Sequence, residues 1–425
     1  MGTIVGLSGF LILFAALMQA AVGIHTLVAR SLRAARLDRE QLALFKDHAA
    51  TMLKRAQADR EAHELTWSGK RKFQIEQRVL ENPNKDICSF YLVAHDKRPI
   101  PPYQPGQFLT FELPIAGQLH PVMRCYSLSD SPTERDNYRV SIKRIGPPPK
   151  APEGTPPGLS SSFFHDNLQE GDIVEVFAPA GEFFLDTESE RPVVLIAGGV
   201  GLTPVVSMLN WMAATGSKRE IWFFYGVRNR GEHAMYEHLQ RLDREVPNFN
   251  LVVAYGDPTE SCRDGVDYNV KGFVSVDLIK SKLGSTNYEF YICGPPPMMA
   301  ALTKDLAEWG VPESDVRFEA FGPASVKKAE PQDASAEDSS ETFQVEFSRS
   351  KTTVKWTKGV GSLLELAEAN GVMARCGCRI GSCGSCLTAV MKGDVNYVHK
   401  PGKEPEAGSC LICISQPKSD MVIDL

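Results

Sequence analysis

The chain has 425 residues, a length that exceeds one ordinary domain and predicts about two to four. Its formal net charge is −6 at pH 7, and no basic patch with interleaved aromatic residues occurs along it. The composition therefore gives no indication of nucleic-acid binding.

Residues 1–29 are predicted to form a single membrane-spanning helix. Residues 3–29 contain no Lys, Arg, Asp or Glu, and about 20 apolar residues are enough to cross a bilayer as a helix. A cleaved signal peptide would begin with a charged region, which residues 1–4 lack, and a buried core helix would show a clearer polar face. The spanning helix is therefore favoured over both alternatives.

The residues that follow predict the orientation of this helix. Arg30, Arg33, Arg36, Arg39 and Lys46 come directly after it, so the positive-inside rule places the rest of the chain in the cytoplasm. The predicted location is the cytoplasmic membrane, crossed by a single pass. The cytoplasm is a reducing compartment, which disfavours disulfides and suits metal-bound thiolates.

Residues 30–68 are predicted to form a polar helix, because Ala, Leu, Arg, Glu and Gln dominate and neither Pro nor Gly occurs up to about residue 66. Leu42, Leu44, Phe45 and Leu53 would form an apolar stripe on it. A solvated spacer and a docking helix for a partner or a dimer both fit this pattern, and the sequence does not separate them.

Residues 69–186 are predicted to form an antiparallel β-barrel. Short strand-like runs, such as 89–93, 107–111 and 172–176, alternate there with turns rich in Pro, Gly and Asn. Regular short strands of this kind are typical of an antiparallel barrel.

Residues 187–323 are predicted to form an α/β domain with a parallel sheet. Compact apolar runs at 193–197, 221–225, 251–254 and 288–293 are separated by helical segments, as expected for strands covered on both faces. The first run leads into a glycine-rich turn and a predicted helix over 205–214. The turn contains Gly198, Gly199, Gly201, Thr203 and Pro204.

A glycine-rich turn at a helix amino terminus can hold a pyrophosphate through backbone N–H groups and the helix dipole. Taken alone, such a turn can equally serve tight packing. The last apolar run ends at Cys293, again at a carboxyl edge, where ligands bind in open α/β sheets. Cys293 alone would most often be a packed core thiol. It is followed by Gly294, Pro295 and Met298.

Residues 324–341 are rich in Ala, Ser, Asp, Glu and Lys and are predicted to be a flexible linker. In the segment that follows it, residues 342–425, Cys378, Cys383 and Cys386 are spaced C-x4-C-x2-C, which is the ligand spacing of a plant-type [2Fe–2S] centre. Gly377, Gly381 and Gly384 lie between the cysteines and let the loop turn sharply.

The fourth thiolate is expected from the strand-like segment 409–414, which contains Cys410 and Cys413. A zinc site is the main alternative, because Cys383 with Cys386 and Cys410 with Cys413 form two C-x2-C pairs.

Residues 124–128 (Arg-Cys-Tyr-Ser-Leu) resemble the R-x-Y-S flavin motif of the ferredoxin–NADP reductase superfamily, especially the reductase modules of flavohaemoglobins and oxygenases. The resemblance covers roughly residues 70–325. It implies that Arg124 neutralises a flavin phosphate, that Tyr126 lies against the isoalloxazine ring and that Ser127 forms a hydrogen bond near N5. It also assigns cofactor contacts to Lys143, Gly158, Ser160 and Ser161.

The same resemblance identifies residues 198–204 and 293–299 as the two nicotinamide-side motifs. Glu319 and Phe321 fall in the segment that closes over the flavin ring. The implied catalytic residues are Tyr126, Ser127, Cys293 and Glu319. The implied cofactors are FAD rather than FMN, and NADH rather than NADPH. Arg228 or Arg230 would favour a 2′-phosphate, whereas Glu232 would favour a ribose hydroxyl.

Residues 343–425 resemble a plant-type ferredoxin, which predicts an α+β domain of the β-grasp type. The expected elements are a strand pair over 343–354, a helix over 362–370 and a closing strand over 421–425. The resemblance implies that Cys376 and Cys410 are not ligands. The implied cluster ligands are Cys378, Cys383, Cys386 and Cys413.

The whole chain is thus interpreted as a multidomain NAD(P)H-dependent oxidoreductase. Electrons would pass from NADH through FAD and the [2Fe–2S] cluster to a membrane-associated oxygenase, hydroxylase or desaturase. A quinone-linked NADH dehydrogenase is the alternative among enzymes. A membrane-tethered binding module with structural zinc is the alternative from another class.

Overall fold

The computed structural model describes residues 17–20, 22–27, 30–31, 42, 45–46, 49, 52–53, 60, 64–67, 69–118, 121–147, 152, 154–319, 321, 342–377, 379, 381, 384–398, 401 and 405–425. The chain divides into two units, residues 1–64 and 65–425.

The described residues of the first unit are helical. No helix among the described residues combines the length and apolar character that crossing a membrane requires. Most of the predicted span at 1–29 lies outside the described residues, as does much of the polar helix predicted at 30–68, so both stay predictions.

The second unit begins with a closed antiparallel barrel. Its strands are ordered β4-β3-β6-β1-β2-β5, and a bridge between Leu128 and Val140 joins the two edges. The core contains fully buried aromatic side chains, including Phe73, Phe90 and Phe111. The predicted antiparallel barrel is therefore confirmed. Its elements are β1 Arg71–Leu80, β2 Ile87–Ala94, β3 Phe108–Leu113, β4 Val122–Ser127, β5 Tyr138–Lys143, α1 Leu159–Asp166 and β6 Ile173–Val176.

A parallel sheet follows, with strand order β10-β9-β8-β7-β11-β12. Leu195 on β7 packs in one buried cluster and its neighbour Ile196 in another, so both faces of the sheet are covered. This confirms the predicted α/β domain. Its elements are β7 Val193–Gly198, α2 Leu202–Thr215, β8 Ile221–Val227, α3 Tyr236–Glu245, β9 Phe249–Tyr255, β10 Val270–Lys271, α4 Val276–Lys280, β11 Glu289–Cys293, α5 Pro296–Glu308 and β12 Val316–Glu319.

Helix α2 begins three residues earlier than the predicted 205–214. Pro204 is its third residue, and proline is tolerated there because the first-turn N–H groups have no intrahelical acceptor. The earlier start brings the helix amino terminus directly against the glycine-rich turn Gly199–Gly201.

The carboxyl-terminal domain contains a five-stranded sheet of order β14-β13-β19-β15-β17 and a separate pair, β16-β18. Helix α6 starts where the sequence predicts, because Ser362 and Glu365 form a capping box. The elements are β13 Thr342–Phe347, β14 Thr352–Thr357, α6 Leu363–Ala369, β15 Leu387–Lys392, β16 Val395–Tyr397, β17 Ser409–Leu411, β18 Ser415–Pro417 and β19 Met421–Ile423.

The sequence predicts a strand-like segment over 409–414, but the structure does not form one continuous strand there. Strand β17 ends at Leu411, and the N–H of Ile414 donates to the carbonyl of Leu411 at 3.0 Å. Cys410 therefore lies within the strand, whereas Cys413 lies in the turn that follows it.

Candidate cofactor and electron-transfer site

The carboxyl edges of β7 and β11 meet at glycine positions. A Cβ atom built on Gly201 would lie 2.2 Å from the carbonyl oxygen of Cys293, and one on Gly198 would lie 2.6 Å from Sδ of Met298. A Cβ atom built on Gly294 would lie 3.0 Å from Cε of Met298 and 3.1 Å from the backbone nitrogen of Gly198. Only glycine allows the two turns to approach this closely.

The amino terminus of α2 opens at the same edge. Its cap residue is Gly201, which has no side chain to cap the helix. The first-turn N–H groups can therefore bind an anion. Thr203 and Pro204 belong to this first turn, and Pro295 precedes α5 on the β11 side. The predicted nicotinamide-side residues are therefore brought together, and the cradle fits a dinucleotide pyrophosphate.

Cys293 and Glu319 are register partners on neighbouring strands β11 and β12. Cys293 is fully buried, and burial, together with the charge of Glu319, raises the pKa of its thiol well above the usual value. The thiol is therefore protonated and is not a nucleophile at neutral pH. Phe321, just beyond β12, is 38% exposed. The catalytic roles assigned to Cys293 and Glu319 stay predictions.

Strand β4 carries the flavin-motif residues. The ring of Tyr126 packs edge-on against Phe111 and Phe164, at centroid distances of 5.7 and 5.1 Å. This packing fixes the ring, and burial raises the pKa of its hydroxyl. Arg124 is exposed, with Nη1 donating to the carbonyl of its neighbour at 2.7 Å, and Ser127 is buried. A fixed tyrosine beside an exposed arginine suits a flavin ring and its phosphate.

The turn before α1 provides a second place for a phosphate. Ser161 closes this turn, since its Oγ accepts from the N–H of Ile145 at 3.1 Å and donates to the carbonyl of Gly158 at 3.0 Å. The Oγ of Ser160 is buried and has no hydrogen-bond partner among the described residues. A buried orphan hydroxyl at a helix amino terminus needs a partner, which the flavin pyrophosphate would supply.

Lys143 does not stand free for a cofactor. Its Nζ lies 3.2 Å from Oε2 of Glu232 in the α/β domain and 3.7 Å from Oδ2 of Asp86 in the barrel, so it forms one ion pair between the domains and one within the barrel. Lys143 is the last residue of β5, and its ammonium group is committed to these carboxylates.

The charged residues after β8 are also partly engaged. Arg230 lies over the ring of Tyr236 at 3.9 Å and pairs with Glu237 at 3.1 Å. Arg228 is largely exposed, with Nε 3.7 Å from Oε1 of Glu232. An arginine already stacked and paired is a poor receiver of a 2′-phosphate.

Two of the four predicted cluster ligands are described. The Sγ atoms of Cys386 and Cys413 approach to 3.0 Å, well beyond the 2.05 Å of a disulfide bond. Cys378 and Cys383 lie outside the described residues. Within the described part of the chain, no group of three or more metal-ligating side chains occurs. The convergence of two buried thiols fits a shared metal centre.

Cys410 belongs to strand β17 and not to the turn that carries Cys413. It is fully buried on β17, and burial raises the pKa of its thiol to about 11.

Gly381 in the cysteine loop has φ +75°, and a Cβ there would lie 2.3 Å from Cδ1 of Ile414. The glycine of the loop is therefore required by both backbone conformation and packing.

The cysteine loop lies within electrostatic range of the flavin strand. Burial raises the pKa of Cys376, and the positive charges of Arg379 and of Arg124 oppose that rise. Arg124 belongs to β4 and Cys376 to the start of the cysteine loop. The charge of Arg124 thus acts on the start of the cysteine loop, an interaction that the sequence alone did not predict.

Three segments match known protein families. Residues 72–185 match an oxidoreductase FAD-binding domain and residues 195–304 an oxidoreductase NAD-binding domain. Residues 345–418 match a 2Fe-2S iron-sulfur cluster binding domain. The cofactors are accordingly FAD, NADH and a [2Fe–2S] cluster, and the zinc alternative is not supported.

The flavohemoprotein of Halalkalibacterium halodurans is 39% identical over 258 residues, which are 61% of this chain and 61% of that protein. The chain therefore spans less than two thirds of this curated relative. The FAD/NAD-binding domain of the nitric oxide dioxygenase from Vibrio cholerae O1 biovar El Tor is 32% identical, with a TM-score of 0.52; the match covers 60% of this chain and 99% of that one. The chain belongs to the ferredoxin–NADP reductase family.

The likeness of this reductase to solved structures extends through its last domain. Phthalate dioxygenase reductase, described as a modular structure for electron transfer from pyridine nucleotides to [2Fe–2S], is 28% identical with a TM-score of 0.51. The match covers 84% of this chain and 98% of that one.

Lowering the pH is expected to destabilise the reductase through His233. Its ring is fully buried, with Nδ1 2.8 Å from the hydroxyl of Tyr255 and Nε2 without a partner among the described residues. Burial, with the charge of Arg230, lowers the pKa of His233 to about 3. The unfolded chain takes up this proton near pH 6.5, so the free energy of unfolding falls as the pH decreases from about 6.5 to about 3.

Chemical unfolding of wild type and His233→Gln at about pH 7.5 and about pH 5 measures this effect. The difference in the free energy of unfolding between the two proteins at about pH 7.5 reports only the altered packing. From about pH 7.5 to about pH 5, the free energy of unfolding of the variant should fall by about 2 kcal/mol less than that of wild type, because one titrating group is removed. An equal loss in both proteins would contradict the prediction.

Proposed function

We propose that this chain is the reductase component of an oxygenase system, which takes electrons from NADH and delivers them to a terminal oxygenase, hydroxylase or desaturase. The observation that carries the proposal is the presence in one chain of matches to an FAD-binding domain, an NAD-binding domain and a 2Fe-2S cluster binding domain. Bound FAD supplies the conversion of a hydride into single electrons, and the cluster supplies a one-electron carrier.

The protein's part in this function is binding and orientation. In the proposal, the first turn of α2 and Gly201 hold the dinucleotide pyrophosphate, and Ser160 and Arg124 hold the flavin phosphates. Tyr126, fixed by its aromatic neighbours, supports the flavin ring. No acid–base pair is needed, because hydride and electron transfers depend on distance and alignment.

The likeness to phthalate dioxygenase reductase, a modular structure for electron transfer from pyridine nucleotides to [2Fe–2S], supports this choice of function. Its match includes the ferredoxin domain, whereas the flavohemoprotein match covers 61% of the chain. Electrons that leave through a ferredoxin domain are suited to a separate acceptor protein. We infer that this acceptor is an oxygenase-type partner at the membrane.

Anaerobic addition of NADH to the purified protein tests the proposal. The flavin absorbance should bleach, and the EPR signal of a reduced [2Fe–2S] cluster should follow. Electrons should then pass to cytochrome c faster than to a water-soluble quinone. Preference for the quinone would favour the quinone-linked dehydrogenase, and a colourless protein with stoichiometric zinc would exclude electron transfer.

We further propose that residues 1–29 anchor the reductase in the cytoplasmic membrane and raise the effective concentration of a membrane-bound acceptor. The support is the absence of Lys, Arg, Asp and Glu from residues 3–29. Deletion of residues 1–29 should move NADH–ferricyanide activity from the membrane fraction to the soluble fraction, with the specific activity retained. Recovery of the full-length chain in the soluble fraction would contradict the anchor.

A further inference from the structure

Two polar side chains of α2 reach across to the end of the flavin strand. The Oγ of Ser207 donates to the carbonyl of Asp130 at 2.6 Å. The Nδ2 of Asn210 lies 3.3 Å from Oδ1 of Asp130 and 3.4 Å from the carbonyl oxygen of Ser129. Ser207 and Asn210 are three residues apart and share one face of the helix, so the contact has two points.

The barrel side of this contact is itself held in place. The carbonyl of Asp130 also accepts from the hydroxyl of Tyr103 at 2.6 Å, and Nη1 of Arg139 lies 3.5 Å from Oδ2 of Asp130. The N–H of Ser129 donates to the carbonyl of Arg139 at 2.8 Å. Ser129 and Ser207 are fully buried, and a buried network satisfied to this extent resists displacement.

A third element fixes the orientation of the Asn210 amide. Its Nδ2 faces two acceptors, so its Oδ1 must face His238, whose Nε2 lies 2.7 Å away and therefore carries the proton. Nδ1 of His238 accepts from Nη2 of Arg241 at 3.0 Å. The helix α3 that carries His238 thus prevents the Asn210 amide from turning over.

The contact joins the two segments that place the reacting partners. Asp130 follows the flavin-motif residues Tyr126 and Ser127 by a few positions on the same strand and its extension. Ser207 lies in the second turn of the helix whose amino terminus opens beside Gly201. Because both segments are short, movement at the contact changes the distance between flavin and nicotinamide sites directly.

We propose that Ser207 and Asn210 are positioning residues that set the distance and alignment between the nicotinamide and the flavin by fixing α2 to Ser129 and Asp130. The inference rests on the proposed NADH-to-flavin function and deepens it. A displacement of about 1 Å at a hydride-transfer site can cost about 100-fold in rate, so the loss of this contact should slow flavin reduction more than it weakens NADH binding.

The test compares wild type with Ser207→Ala combined with Asn210→Leu. Asn250→Leu is the matched control, because its Nδ2 donates at 3.3 Å to the carbonyl of Ile221 within the α/β domain and does not cross to the barrel. Hydrogen–deuterium exchange of residues 128–131 and 202–215, in the FAD-loaded protein without NADH, measures whether the contact between the two segments is kept. The rate of flavin reduction by NADH in a stopped-flow experiment measures the effect on positioning.

Exchange of both segments should rise in the double variant, and flavin reduction should slow by about 10- to 100-fold, with the NADH dissociation constant within about three-fold of wild type. Asn250→Leu should change none of these. Unchanged exchange, unchanged reduction, or a loss confined to NADH affinity would each overturn the proposal.

If the double variant does not fold, Ser207→Ala alone decides, because it removes one hydroxyl and adds no volume. It should slow flavin reduction by about three- to ten-fold without loss of FAD; an unchanged rate would overturn the proposal. If NADH does not reduce the flavin of the wild-type protein, the proposed function is disproved instead. The exchange measurement is made without NADH and does not depend on that function.

Discussion

Replacing Cys413 with serine is expected to abolish the [2Fe–2S] EPR and visible signals of the reductase. The Sγ atoms of Cys413 and Cys386 converge to 3.0 Å, and Cys413 lies in the turn between β17 and β18 that faces the cysteine loop. A two-iron cluster needs four thiolates, and removing one leaves an iron without its ligand. Cytochrome c reduction should fall by about 100-fold, since the one-electron carrier is lost.

Turnover with ferricyanide should remain close to that of wild type in this variant, because flavin reduction precedes the cluster. Cys410→Ser is the matched control: the same substitution three residues earlier, on a side chain that is fully buried within β17. It should leave the EPR signal intact. Loss of the signal in Cys410→Ser, with retention in Cys413→Ser, would show that the fourth ligand was misassigned.

Patterns that are local in sequence predicted the fold well. The apolar runs at 193–197 and 288–293 became β7 and β11, because strands covered on both faces tolerate polar residues at few positions. The glycine-rich turn was placed correctly at the edge of the sheet, because it lies between a buried apolar run and a predicted helix.

Features that depend on distant partners were not predicted. Lys143 was assigned to the cofactor, but its charge is balanced by Glu232, which lies 89 positions away and reaches it only through the domain contact. Asn210 and Ser207 were missed because their partners are on another domain. Two polar residues within the otherwise apolar run 204–214 of α2 were the available signal.

The turn that carries Cys413 was also missed, for a different reason. The segment 409–414 has the composition of a strand, and β-propensity depends strongly on context. The turn hydrogen bond of Ile414 and the packing of its side chain against Gly381 end the strand at Leu411. Tertiary contact with the cysteine loop therefore decides the local structure, and with it the position of the Cys413 thiol beside Cys386.

Gly201→Ala is expected to remove nearly all NADH-dependent activity. The backbone of Gly201 has φ −59°, which alanine adopts readily, so the effect arises from space alone. The new Cβ would lie 2.2 Å from the carbonyl oxygen and 2.5 Å from the carbonyl carbon of Cys293. These are backbone atoms of a fully buried strand, and they cannot turn aside as a flexible side chain would.

The strands must therefore separate at the edge where we propose that the dinucleotide binds. We expect a loss of about 1–3 kcal/mol in the free energy of unfolding from overpacking. NADH-dependent kcat/KM should fall by about 100-fold or more, because the amino terminus of α2 moves with the turn. Flavin content should be retained, since the barrel does not contain the substitution.

Gly284→Ala provides the matched control in the same domain. Gly284 is exposed, and a Cβ built there meets no atom within 4 Å in the described part of the chain. NADH–ferricyanide kinetics and thermal unfolding of both variants separate the clash from a general intolerance of alanine. Wild-type kcat/KM in Gly201→Ala would show that β7 and β11 can part at this edge without disturbing the nucleotide, and that their close approach serves packing rather than NADH binding.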